Sequence, residues 1–169
     1  MFREKLLEFH SKRSNYYALG AVIIIATTIM IGSKKKSHSH EHFGNSFCCS
    51  INCMDGRPQK AVYEYMRKHF GVEYVDVVTE AGPNRILATG RDKAIIEDIK
   101  NRVGISVLVH HAKVIAISAH DGCAGNPAPK EEQIQNLREA KKAIESFGFN
   151  VKVIMLYVPE GWEQAELIE

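Results

Sequence analysis

Three features of the sequence predict an α/β domain built on a parallel sheet. Short apolar runs with strand character alternate with longer segments whose apolar residues recur at helical spacing. One of those runs, Lys113 to Ala119, is almost wholly apolar, as in a strand covered on both faces. Turn-forming residues at Gly71, Ala81-Gly82-Pro83-Asn84 and Gly148 punctuate the alternation. Strands separated by helices imply right-handed βαβ crossovers, with helices on both faces of the sheet.

The 169 residues divide into three predicted parts: residues 1–33, 34–44 and 45–169. Tyr16 to Gly32 (YYALGAVIIIATTIMIG) carries no charge and opens on two tyrosines suited to a membrane interface. As a helix it spans about 25 Å, the short end of a bilayer core, so 1–33 is expected to be a single membrane anchor with basic flanks. A cleaved signal peptide fits less well, because Ser33 gives way directly to Lys34-Lys35-Lys36 with no small-x-small site. Residues 34–44 form a Lys/His-rich linker, and its His38, His40 and His42 are read as solvated rather than as a defined metal site. Four Lys/Arg precede the apolar segment and three follow it, so charge does not choose an orientation.

From Asn45 onward the units follow in order. Ser46 to Asn52, ending at Cys53, is a strand. Pro58 to Phe70 is a helix with Val62, Tyr65, Met66 and Phe70 on one face, and its proline lies in the tolerated first turn. Tyr74 to Val78 is the second strand. Asp92 to about His110 is a helix through Ile95, Ile96, Ile99, Val103 and Val107, with Gly104 its weak point. After the strand at Lys113–Ala119, Pro129 to Phe147 is a helix with Ile134, Leu137, Ile144 and Phe147 on one face and Glu131 and Glu132 at its positive end. Val151 to Val158 is the fourth strand, and the tail holds the single tryptophan, Trp162.

The formal charge of +2 argues against a dedicated nucleic-acid binder, and no nucleic-acid partner is expected. Its distribution is uneven: residues 1–42 hold seven Lys/Arg against three Asp/Glu, residues 43–169 fifteen against seventeen. Four cysteines are too few for a disulfide scaffold. Cys48 and Cys49, facing opposite sides of the first strand, are read as small packed hydrophobes. His69 is read as decorating the end of a helix, and His110 and His111 as preceding a turn rather than shuttling protons for the crevice.

Chemistry concentrates in two motifs just after the first and third strands, where open α/β sheets bind ligands. In Cys53-Met54-Asp55-Gly56-Arg57, residues two apart in extended chain point to one side, which can bring thiol, carboxylate and guanidinium to one crevice. In His120-Asp121-Gly122-Cys123, imidazole and thiol lie three apart around a glycine turn, a spacing that lets both reach one ion. Cys, His and Cys suit zinc, and three protein ligands leave a fourth tetrahedral position open.

Cys-x-Asp-x-Arg followed by His-x-x-Cys resembles the β-class carbonic anhydrases, from about Ser46 to Val158. The resemblance implies a four-stranded parallel core of order 2-1-3-4, a homodimer or larger assembly, zinc on Cys53, His120 and Cys123, and an Asp55–Arg57 dyad. It implies an enzyme that reversibly hydrates carbon dioxide to bicarbonate and a proton with a zinc-bound hydroxide. In the family Asp55 would either stay with Arg57, leaving the site open, or turn to the metal and close it. The family's Arg-Asn-Ala-Gly-Asn segment is here Glu80-Ala81-Gly82-Pro83-Asn84, and its Cys-Gly is Cys123-Ala124-Gly125, so a reshaped rim is expected. Gln59 is a pocket-lining candidate by position alone, and Asp121 either supports the ligands or caps its loop. Two alternatives stand beside hydration: hydrolysis of carbonyl sulfide or carbon disulfide on the same scaffold, and a membrane-tethered zinc-binding module without turnover. Thiolate ligands persist best in a reducing compartment, which tilts the domain toward the cytoplasmic face.

Overall fold

The computed structural model describes residues 46–169. The anchor expected at 16–32 and the His38/His40/His42 tract lie outside the described residues; among those described, no helix is long and apolar enough to cross a membrane.

The strands are β1 (Phe47–Cys53), β2 (Tyr74–Glu80), β3 (Val114–His120), β4 (Lys152–Val158) and β5 (Glu166–Ile168). The helices are α1 (Gln59–Phe70), α2 (Pro83–Thr89), α3 (Lys93–Leu108) and α4 (Lys130–Glu145). The sheet order is β2-β1-β3-β4-β5, with β1–β2, β1–β3 and β3–β4 parallel. The expected 2-1-3-4 core is therefore present, but the sheet is neither four-stranded nor wholly parallel. After Trp162 the tail returns as β5 and pairs antiparallel with β4, Met155 opposite Ile168. Three residues are too short to carry a period-2 signal, which is why the sequence pattern did not reveal it.

Ala81–Asn84, expected to be a turn, is only half one. Its second half opens α2, with Pro83 at the first helical position, where a missing N–H costs nothing. Gly104 does not break α3, where it is buried in mid-helix. Asp92 caps that helix by accepting from the Ile95 N–H at 3.0 Å.

Alternation along the strands builds two cores. Cys49, Ile51, Ile115, Ile117, Val153 and Met155 face α2, α3 and α4 and pack with Leu87, Ile99, Val103, Leu137 and Ile144. Cys48, Ala116, Ile154 and Leu156 face α1 and pack with Val62 and Met66, with Trp162 at the margin. Cys48 and Cys49 thus serve as core residues on opposite faces, and burial pushes both thiols up to about 12. Because β1 and β3 are neighbours, their carboxyl ends, Cys53 and His120, meet at the point where the chain turns to opposite sides of β1.

Candidate metal centre

Cys53 closes β1, His120 closes β3, and Cys123 follows one tight turn later, with Gly122 at φ +63°. Their donor atoms all lie within 4.8 Å of one another, and all three residues are buried. The two sulfurs stand 3.7 Å apart. A disulfide would need about 2.05 Å. Two sulfurs each about 2.3 Å from one tetrahedral ion stand about 3.8 Å apart, so the observed separation fits a shared metal.

His120 is oriented for the same purpose. Its Nδ1 lies 2.8 Å from the Asp121 carbonyl oxygen, to which it donates as the Nδ1–H tautomer. That tautomer leaves the Nε2 lone pair free, and Nε2 is buried without a hydrogen-bond partner. A buried acceptor left unpaired costs free energy unless something occupies it. The donor chemistry, the sulfur separation and this orphaned nitrogen together fit a zinc ion.

Backbone N–H groups support the sulfurs: those of Asp55 and Gly82 point at Cys53, those of Asn126 and Gly125 at Cys123. Hydrogen bonding from Cys123 pulls the Cys53 thiol far below its ordinary range, and the same bond, with burial, pushes the Cys123 thiol up. Burial lowers the His120 pKa, but the Cys53 sulfur, the Asp121 carbonyl and the Asp55 charge outweigh it and leave the pKa raised.

This support depends on a backbone contact no motif announces. A Cβ on Gly125 would stand 2.5 Å from the Ala81 carbonyl carbon and the Gly82 nitrogen, and one on Gly82 would stand 2.5 Å from the Gly125 carbonyl carbon. Only two glycines allow the segment after β2 and the loop after Cys123 to touch and aim their N–H groups at the two sulfurs.

Asp55 and Arg57 also come together. The Arg57 side chain grips both Asp55 carboxylate oxygens, Nε to Oδ1 at 3.0 Å and Nη2 to Oδ2 at 2.6 Å, while the Arg57 backbone N–H adds a bond to Oδ1 at 2.9 Å. These bonds lower the Asp55 pKa to about 2. Arg57 Nη2 also donates to the Gly122 carbonyl at 3.0 Å, tying the first motif to the second. The donors are nearly closed off, whereas Asp55 is half-buried and Arg57 exposed, so solvent meets the site on the dyad's side.

Gln59, taken as a pocket candidate, has a structural job. Its Nε2 donates to the Cys53 and Asp55 carbonyls, its Oε1 accepts from Asn52 Nδ2 at 3.0 Å, and Ser118 Oγ donates to Asn52 Oδ1 at 3.0 Å. This chain pins the Cys53–Asp55 segment to β3. Glu80 bonds the Ala81 N–H and faces Arg102 at 4.0 Å. His110 pairs with Asp76 at 2.8 Å, far along the sheet from the site, and His69 bonds the Tyr65 carbonyl.

A family profile described as "Putative carbonic anhydrase" matches residues 43–168. Similar solved structures include β-carbonic anhydrase isoform I of Trichomonas vaginalis, with 15% identity, a TM-score of 0.49, and 99% of this chain and 98% of that one covered. The carbonic anhydrase of Streptococcus mutans has 11% identity and a TM-score of 0.49, with coverage of 100% and 98%. The apo form of a carbon disulfide hydrolase has 12% identity and a TM-score of 0.43, with coverage of 96% and 90%. No curated protein matches the chain.

Proposed function

The chain belongs to this carbonic anhydrase family, and on that premise we propose that it reversibly hydrates carbon dioxide to bicarbonate and a proton, with zinc held by Cys53, His120 and Cys123. The observation that carries the reading is the buried Cys/His/Cys donor set, its histidine Nε2 unpaired, beside a carboxylate gripped by its own arginine. When bound, zinc supplies Lewis acidity that makes water a competent nucleophile near neutral pH.

The chain's own residues set the conditions for that chemistry. The thiolates of Cys53 and Cys123 would offset the charge of a bound zinc ion, so water there would be less acidified than beside three imidazoles, and a nearby acceptor would be useful. Asp55 is that acceptor: Arg57 keeps it ionised and engages both its oxygens through the backbone N–H, Nε and Nη2, leaving room for one further hydrogen bond from entering water. Arg57 remains charged throughout, being a guanidinium. His120 keeps its proton on Nδ1, against the Asp121 carbonyl. The grip of Arg57 on Asp55 favours the open arrangement of the site.

Stopped-flow hydration assays on zinc-loaded protein test the reading. Cys53→Ser and Asp55→Ala are expected to lose about a hundredfold or more in kcat/KM; unchanged rates would defeat it. The donor set and dyad serve carbonyl sulfide or carbon disulfide hydrolysis equally well, so the same preparation should be offered all three gases. One zinc per chain with no turnover on any of them would indicate a zinc-binding module. The proposal also includes a homodimer or larger assembly and a tether through residues 16–32, with the domain on the cytoplasmic face.

A further inference from the structure

Trp162 belongs to neither motif, yet it touches both. The Arg57 guanidinium carbon lies 4.5 Å from the centre of its ring. Its indole Nε1–H donates to the Asp121 carbonyl at 3.2 Å, the same oxygen that fixes the tautomer of His120. The Asp121 N–H in turn bonds the Val158 carbonyl at 2.9 Å, so the exit of β4 holds the Asp121 residue through its N–H and its carbonyl.

The tail is bent to reach this position. Gly161 has φ +91° and Trp162 itself φ +52°, and the Trp162 N–H closes a turn onto Pro159 at 3.1 Å. A left-handed backbone is unfavourable for a bulky aromatic residue and persists only where its surroundings hold it. Here the ring lies partly buried at the margin of the α1-side core.

The guanidinium is thus constrained by three groups: the Asp55 carboxylate, the Gly122 carbonyl and the indole face. The first two accept hydrogen bonds from its N–H groups. The guanidinium carbon stands over the indole ring, with the cation–π attraction expected of an arginine over tryptophan. Together they restrict a long side chain that would otherwise sample many rotamers.

We propose that Trp162 is a positioning residue whose ring face holds Arg57 on Asp55, so that the tail after β4 keeps the site open. The proposal rests on the hydration reading above for its kinetic consequence, but not for the contact itself.

Because Trp162 is the single tryptophan, its fluorescence reports the contact directly in metal-free and zinc-loaded full-length protein. Arg57→Ala is expected to red-shift its emission and make it more readily quenched by acrylamide in both forms. Emission and quenching indifferent to Arg57→Ala would overturn the contact, whatever the activity. In hydration assays, Trp162→Leu should lose about tenfold in kcat/KM, while Trp162→Phe, which keeps a ring face, retains most of the rate. Equal impairment of the Leu and Phe variants, or none in Leu, would reduce Trp162 to packing and overturn the positioning role. A native protein that hydrates no carbon dioxide would defeat the functional reading, leaving the emission arm to decide whether Trp162 holds Arg57.

Discussion

The Asp55 carboxylate takes hydrogen bonds from the side chain and the backbone of one arginine, and its ionised form is stabilised accordingly. Its pKa falls from 3.8 to about 2. A depressed carboxylate pKa stabilises the fold above the unfolded value and loses that contribution as pH falls through the folded value. For Asp55 the loss should run from about pH 4 to about pH 2, and carbon-detected NMR titration should place its midpoint near 2. In Arg57→Ala the midpoint should return to the ordinary carboxylate range; a native midpoint near 4 would remove the dyad as an electrostatic unit. Residue spacing indicated the three donors and turned Asp55 and Arg57 toward one crevice, because each motif is local, while their pairing as a dyad came from the family resemblance. The role of Gln59 was not legible in the same way, since its partners Asn52, Cys53 and Asp55 become partners only once α1 folds back over the end of β1.

At the scale of elements, the site depends on two strand ends and two loops meeting. The strand-helix alternation was readable because five to seven apolar or alternating residues suffice to mark a strand. α2 is not legible in the sequence for a physical reason: seven residues give less than two full turns, too few for a 3.6-residue period to separate from a turn beginning with Gly-Pro. The contact between Gly82 and Gly125 was equally invisible, since nothing in either local sequence names the other. Gly125→Ala forces a methyl group to 2.5 Å from the Ala81 and Gly82 backbone, and should destabilise the domain by about 1–3 kcal/mol in urea unfolding. It should also weaken zinc binding, because the N–H groups of Gly125 and Asn126 support Cys123. Native-like stability and native zinc affinity together would show that the two loops separate at no cost.

For the whole molecule, metal binding and folding should be linked, because the donors come from two strands and a loop that the unfolded chain does not bring together. With free zinc a thousandfold above its Kd the stabilisation is about 4 kcal/mol, a rise in Tm on the order of 10 °C. A chelator should reverse that rise, and His120→Ala should abolish it. A Tm indifferent to chelator would count against a resident metal. Val77 on the edge strand and Ile105, Leu108 and Val109 at the end of α3 remain exposed. Light scattering is expected to give at least twice the monomer mass, and a monomer at micromolar concentration would end the homodimer proposal. Alkaline carbonate extraction tests the tether: the full chain should stay with the membrane fraction, and release into the supernatant would remove it.

The sequence by itself determined the fold class, the order of most elements and the candidate donors Cys53, His120 and Cys123, because periodicity and short motifs are written in neighbouring residues, and the family resemblance implied the Asp55–Arg57 pair. Only the tertiary structure decided that β5 closes on β4, that Gly82 meets Gly125, and that Trp162 lies against an arginine far from it in the sequence. Those contacts join residues far apart along the chain, where no repeat or spacing rule operates, and they exist only once strand order and loop packing bring them together.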